Sequence, residues 1–300
     1  MTAVAVADTA PDLPVEAGDA ARPHLLRQLL RDRTAVLGMA IVVLLAVAAV
    51  LAPVLAPHPP DEGSLSRALS PPSASYPLGT DYLGRDTLSR LLFGARVSLV
   101  AAVAVALAVS AIGLAIGLII GYVGGVLDTI TGRVIDVLLA YPSFLVALVV
   151  VGALGPGLFN LGIALTAVSW AGFARIVRAA TLAERQRDYV EVAKAQGATA
   201  SRIIRRHVLP NIIAPVVVLT SVQMGGILLG LSGLSFLGLG VQQPTPEWGS
   251  MLSEARAYMR PAPELMLVPG AAIFLTVLGF NLLGDGLRDV LDPRLGGSDG

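Results

Sequence analysis

The sequence contains no cysteine, which excludes a disulfide framework, a thiolate metal site and a cysteine nucleophile. Lysine is nearly missing as well: Lys194 is the single one among 21 basic residues. A phosphate-binding G-x-x-x-x-G-K-[ST] loop requires a lysine, and Lys194 stands between Ala193 and Ala195, so the chain does not bind ATP in that way. The three histidines, His24, His58 and His207, occupy separate segments and offer no shared metal site. Charged residues make up only 14% and aromatics 5%, with a formal net charge of zero, so global charge points to no nucleic-acid partner. What fills the chain is apolar: 55% hydrophobic residues and a mean hydropathy of +0.75, too apolar for an ordinary soluble domain.

The charge-free runs set the organisation. A tail over residues 1–34, basic through Arg22, Arg27, Arg31 and Arg33, precedes a first span at 35–55, about the twenty residues needed to cross the hydrocarbon core of a bilayer. Residues 56–97 read as an external connection rich in proline, ending in an amphipathic piece that Asp86 can cap. There Leu88, Leu91 and Leu92 face one way, while Arg85, Arg90 and Arg96 stay wet, paired in part with Asp81 and Asp86, with Arg96 snorkelling. A five-helix core follows over 98–285. Its second span carries Gly113, Gly117 and Gly121 every four residues, a face that lets another helix approach closely. Asp128, Arg133 and Asp136 mark a short turn with a local ion pair. Two spans fit 137–152 and 158–174, a fifth 212–233 with Gly226 and Gly230 in the same rhythm, and a sixth 265–283. Between the last two, Pro244 and Pro246 argue for short interfacial helices with Trp248 at headgroup depth. Residues 286–300 form a charged tail.

The architecture is therefore an all-α integral membrane bundle of six transmembrane helices. Of the 21 basic residues, only Arg67, Arg85, Arg90, Arg96, Arg256 and Arg260 fall outside if the N-terminus is inside, so both termini and the loop over 175–210 are placed in the cytoplasm.

That loop is the one long charged interruption in the second half. Asp188 with Glu191 makes a capping-box-like start, and Gly197 ends a first short helix. On a helical wheel Tyr189, Val190, Val192 and Ala193 gather on one side, opposite Arg187, Glu191 and Lys194. In a second helix Ile203, Ile204 and Val208 oppose Arg202, Arg205 and Arg206, and Pro210 stands where a following helix can begin. Read from pattern alone, this is either a contact for a partner or a solvated loop that merely sets topology.

Glu191, Ala193, Gly197, Leu209 and Pro210 resemble the EAA loop of membrane subunits of bacterial ABC importers, with Val192 in place of the first alanine and His207 in place of the usual isoleucine. Residues 79–99, 234–252 and 280–295, together with Arg-His-x-Leu-Pro-Asn, are similar to the dipeptide, oligopeptide and nickel branch. The resemblance implies a type I permease fold in a bacterial inner membrane and a non-catalytic subunit. It makes the first EAA helix a coupling helix that docks on an ATPase: Glu191 and Lys194 for polar contacts, Tyr189 and Val190 for packing, Gly197 for the turn. It also implies a second related permease, one fused or two separate ATPase subunits that bind ATP and Mg, and an extracytoplasmic substrate-binding protein.

No membrane run contains an interior Asp, Glu, Lys or Arg, whereas a proton-coupled carrier ordinarily keeps one as its titrating site. That weighs against a secondary carrier or a membrane scaffold, the readings from other classes. Within the importer class, dipeptides or oligopeptides stand beside nickel, a nickel chelate or glutathione as substrate. Most polar residues in the spans, such as Asn160, Thr220 and Thr276, read as helix-to-helix hydrogen bonds. Ser221, Gln223 and Met224 are the candidates for a translocation path.

Overall fold

The structure, a computed structural model, describes residues 29–291. The expectations for Arg22, His24 and Arg27 in the first tail, and for 292–300 in the last, lie outside the described residues. Helix α1 covers Arg33–Val50, α2 Thr87–Val123, α3 Gly125–Ala140, α4 Ser143–Leu154, α5 Leu158–Arg185, α6 Asp188–Ala195, α7 Leu209–Phe236, α8 Trp248–Ala255 and α9 Glu264–Leu291. Among the described residues no strand is formed beyond one isolated bridge, Thr80 to Asp86. Among the described residues, five helical stretches are long and apolar enough to cross a membrane, and α3 with α4, bent by 91°, makes a sixth if taken as one broken span.

Several boundaries differ from the sequence expectation for identifiable reasons. The amphipathic piece and the second span are one helix. Asp86 caps it through Ser89 N–H at 3.0 Å, nothing interrupts it until Gly124, and 37 residues at about 1.5 Å each extend about 55 Å, well beyond a bilayer core of about 30 Å. The expected turn at Asp128 to Asp136 is a correction: those residues are helical in α3. The helix break falls later, at Tyr141, whose extended φ −105°, ψ 146° is what a following proline imposes through its ring. Hence α4 begins after Pro142, and the span expected at 137–152 is split. Helix α5 runs on to Arg185, eleven residues past the expected 174.

Side chains that are as apolar as lipid gain little from leaving it, so packing inside a membrane depends on close approach. The glycine face of α2 supplies this against α5, its most extensive partner. A Cβ at Gly113 would lie 2.8 Å from Phe173 Cβ, one at Gly117 2.7 Å from the Ala174 carbonyl, and one at Gly121 2.8 Å from Thr181 Cβ. The second glycine pair is used only by half: a Cβ at Gly230 would lie 3.2 Å from Leu165 Cδ2, while one at Gly226 would meet nothing within 4 Å. Helix α1 packs on α9, which packs on α7. Ser110 and Thr220 join α2 to α7 at 3.0 Å, the expected kind of interhelical bond, whereas Thr276 bonds back to Ala272 O within α9.

The end of the bundle that carries α8 contradicts one expectation. Arg85 and Arg90 are not wet; both are buried. Arg85 Nε donates to Asp81 Oδ2 at 2.6 Å and its Nη2 to Glu254 Oε2 at 2.7 Å, while Arg90 Nη2 reaches the same oxygen at 3.1 Å. Glu254, from α8, is the partner that local reading could not supply, and Arg96 alone of the three stays exposed. Trp248 is also buried in the core, 1% exposed. Its indole N–H donates to Leu91 O at 3.0 Å and its backbone N–H to Ser98 Oγ at 3.1 Å, so burial leaves no polar group unpaired.

Candidate functional site

At the opposite end, where α5 stops at Arg185, the chain makes the compact excursion singled out by its charge. Helix α6 starts with Arg187 as the flanking residue, and no side chain caps it; the capping box expected of Asp188 and Glu191 is not formed. Both acids instead lie in the first turn, where they favour the positive end of the helix dipole. The stop is as the sequence suggests. Gly197 takes φ +80°, and Gly197 N–H to Lys194 O at 2.9 Å and Ala198 N–H to Ala193 O at 3.0 Å close the last turn. Thr199 then caps a short turn, Ala200–Ile203, and a π turn over Ile204–Val208 leads into α7. Pro210 lies in the first turn of α7 and has no N–H to return to the preceding turn, a place where a wider turn accommodates its ring.

The amphipathic sorting is narrower than the wheel suggested. Val190 and Ala193 enter the main hydrophobic core, but Val192 is 54% and Tyr189 39% exposed. Glu191 and Lys194 are exposed and, with Leu182, Arg185 and Gln186, line a surface concavity of about 370 Å³. The second side sorts as expected: Ile203 and Val208 are buried, Arg202, Arg205 and Arg206 exposed. Leu209 is half-buried against the core and Pro210 exposed. Thus α6 is held by two small apolar residues and offers an exposed valine flanked by charges of both signs, a surface that can take a protein partner; among the described residues no cluster of metal-ligating side chains occurs.

Three connections were not legible locally. Tyr189 Oη donates to Glu184 Oε1 at the end of α5 and accepts from Asn211 Nδ2 of α7 at 2.9 Å, with its ring tilted against His207 at 5.9 Å. Lys194 Nζ and the Arg185 guanidinium both lie over the ring of Tyr122, at 6.0 and 5.7 Å from its centre, linking α6 to the end of α2. Asp128 and Asp136 of α3 pair not with each other's neighbours but with Arg178 and Arg175 of α5, the former bidentate with one bond at 2.6 Å, the latter at 2.5 Å. Arg133 joins these four around a cavity of about 280 Å³. Only Glu184, five residues before Tyr189, lies near enough in sequence to suggest a partner; the others depend on how helices pack.

Ser221, Gln223 and Met224 are all half-buried on α7, yet they do not share one face. At about 100° per residue Ser221 and Met224 are neighbours, and Gln223 is turned roughly 160° from Ser221. The Ser221 hydroxyl donates to Val217 O at 3.1 Å. Asn160 donates to Leu154 O and Gly155 O at 3.0 and 3.1 Å, closing α4 rather than facing a path.

Residues 113–297 match the family described as the binding-protein-dependent transport system inner membrane component. Residues 24–72 match the N-terminal transmembrane domain of oligopeptide transport permease C. Among curated relatives, the dipeptide transport system permease protein DppC of Haemophilus influenzae is 44% identical over 271 residues, 88% of this chain and 92% of the relative. The protein of the same name from Escherichia coli K12 is 47% identical over 271 residues, 88% and 90% of the two chains. The glutathione transport system permease protein GsiD of Escherichia coli O1:K1 is 44% identical over 275 residues, 90% of each.

Proposed function

Since this chain belongs to the family of binding-protein-dependent transport system inner membrane components, we propose that it is one of two transmembrane subunits of an ATP-driven importer of dipeptides or oligopeptides. The observation that carries the reading is α6: a short helix outside the spans, anchored by Val190 and Ala193, presenting Val192, Glu191 and Lys194 and turned back by Gly197 at φ +80°. An ATPase subunit docks there, binds the ATP and Mg, and passes its closure through α6 to the helices that line the path. This chain performs no catalysis. A second related permease completes the pathway, one fused or two separate ATPases occupy the cytoplasmic face, and a binding protein delivers substrate outside. Both termini and α6 lie in the cytoplasm of a bacterial inner membrane, as the distribution of basic residues favours.

The names of the relatives favour dipeptides, with glutathione as the second reading because a glutathione permease is equally similar at 44% identity. Copurification from native membranes, followed by ATP hydrolysis with the binding protein and panels of dipeptides, oligopeptides, glutathione and nickel, tests both. An ATPase that copurifies and turns over faster with dipeptides or oligopeptides supports the reading; a response to glutathione or nickel alone replaces the substrate. An intact, inserted chain without an ATPase overturns it.

A further inference from the structure

We propose that the Tyr189 hydroxyl is a strut that fastens α6 to both α5 and α7 and so makes the coupling helix move with the membrane helices; this positioning role rests on α6 being the ATPase contact. Helix α6 has eight residues and is joined to the bundle by short non-helical links on either side: Gln186 and Arg187 before it, and the turn at Gly197, with φ +80°, after it. Its buried contacts, Val190 and Ala193, are small and non-directional. They can hold the helix against the core while letting it roll.

Directional bonds remove that freedom, and Tyr189 is placed to supply them. One hydroxyl carries a donor and acceptor sites, and here it uses both sides: it donates to the Glu184 carboxylate on the last turn of α5 and accepts from Asn211 Nδ2, two residues into α7, at 2.9 Å. Asn211 is itself fixed, since its Nδ2 also donates to His207 O at 2.6 Å. Three helices thus meet on one oxygen atom. With the ring 39% exposed, Tyr189 contributes less burial than its size allows, so its hydroxyl geometry, not packing, distinguishes it from any other apolar residue at that position.

The test uses the assembled transporter in vesicles, with dipeptide uptake and ATP hydrolysis measured on the same preparation. Tyr189→Phe keeps the ring and deletes the strut; the expected result is a full complement of copurifying ATPase and roughly fivefold less peptide taken up per ATP hydrolysed, the size of effect that one net hydrogen bond carries. Glu184→Gln keeps an acceptor oxygen and loses less than Glu184→Ala, and Tyr189→Phe combined with Asn211→Ala is no worse than Tyr189→Phe alone. A merely structural role would reduce assembly, uptake and hydrolysis together and leave their ratio unchanged. An unchanged ratio in Tyr189→Phe, or losses that simply add, overturns the strut while leaving the importer standing. A wild-type assembly in which peptide stimulates neither uptake nor hydrolysis overturns both.

Discussion

Arg90 on α2 and Glu254 on α8, 164 residues apart in sequence, meet at 3.1 Å in a buried site. Glu254 takes a second guanidinium, that of Arg85 at 2.7 Å, and Asp81 lies 3.5 Å from Arg90 and 2.6 Å from Arg85. Two cations and two anions therefore neutralise one another between α2 and α8. Removing one member strands the others, because buried charges are tolerable only when paired.

Glu254→Gln is expected to destabilise the protein by about 3–5 kcal/mol, the cost of leaving a buried cation unpaired. Thermal unfolding in detergent measures it, and adding Arg85→Gln to the variant recovers part of the loss. An unchanged melting temperature would show that water reaches the site and compensates the arginines.

Gly117→Ala places a Cβ 2.7 Å from the Ala174 carbonyl and from Val177 Cβ, and backbone cannot move aside as a flexible side chain can. Overpacking of this kind costs about 1–3 kcal/mol. The comparison is Gly132→Ala in α3, where nothing lies within 4 Å; there the helix gains about 0.5–1 kcal/mol. Equal effects of the two substitutions would refute close packing of α2 on α5.

Gly197 has open space around it, so size is not what it forbids. Its φ of +80° is. Gly197→Asn, which enters left-handed conformations readily, should retain most peptide uptake, whereas Gly197→Val, strained by about 1–2 kcal/mol or more, should lose it with insertion intact. Uptake assays normalised to inserted protein decide this; equal loss in both variants would point to side-chain bulk instead.

Asp128 and Arg178 link α3 to α5, but their side chains are 17% and 35% exposed, so water screens the pair. A double-mutant cycle with Asp128→Asn and Arg178→Gln is expected to give a coupling of about 0.5–1 kcal/mol that shrinks as salt is added. A coupling of several kcal/mol, insensitive to salt, would mean that the cavity they line is sealed.

Patterns whose physics is local were legible without coordinates. Asp86 caps α2 because a carboxylate three residues ahead of a free N–H needs no distant partner; Gly197 ends α6 because glycine adopts its positive φ without steric cost. The stripe of Gly113, Gly117 and Gly121 announced a close neighbour, although not that the neighbour was α5. The run of charge over 175–210 marked the candidate site, but the wheel grouped the buried Val190 and Ala193 with Tyr189 and Val192, which are exposed.

Composition and periodicity alone determined that this is an all-helical membrane protein with its polar excursion at one place, because hydrophobic length and charge-free runs act residue by residue along the chain. Tertiary structure decided the rest. Arg85 and Arg90 could be buried only once α8 brought Glu254 to them, Trp248 only once Leu91 and Ser98 stood opposite its N–H groups, and Tyr189 became a junction only where α5 and α7 converge. A polar side chain is indifferent between water and a well-placed partner, so its fate is set by what another helix, far away in sequence, presents to it.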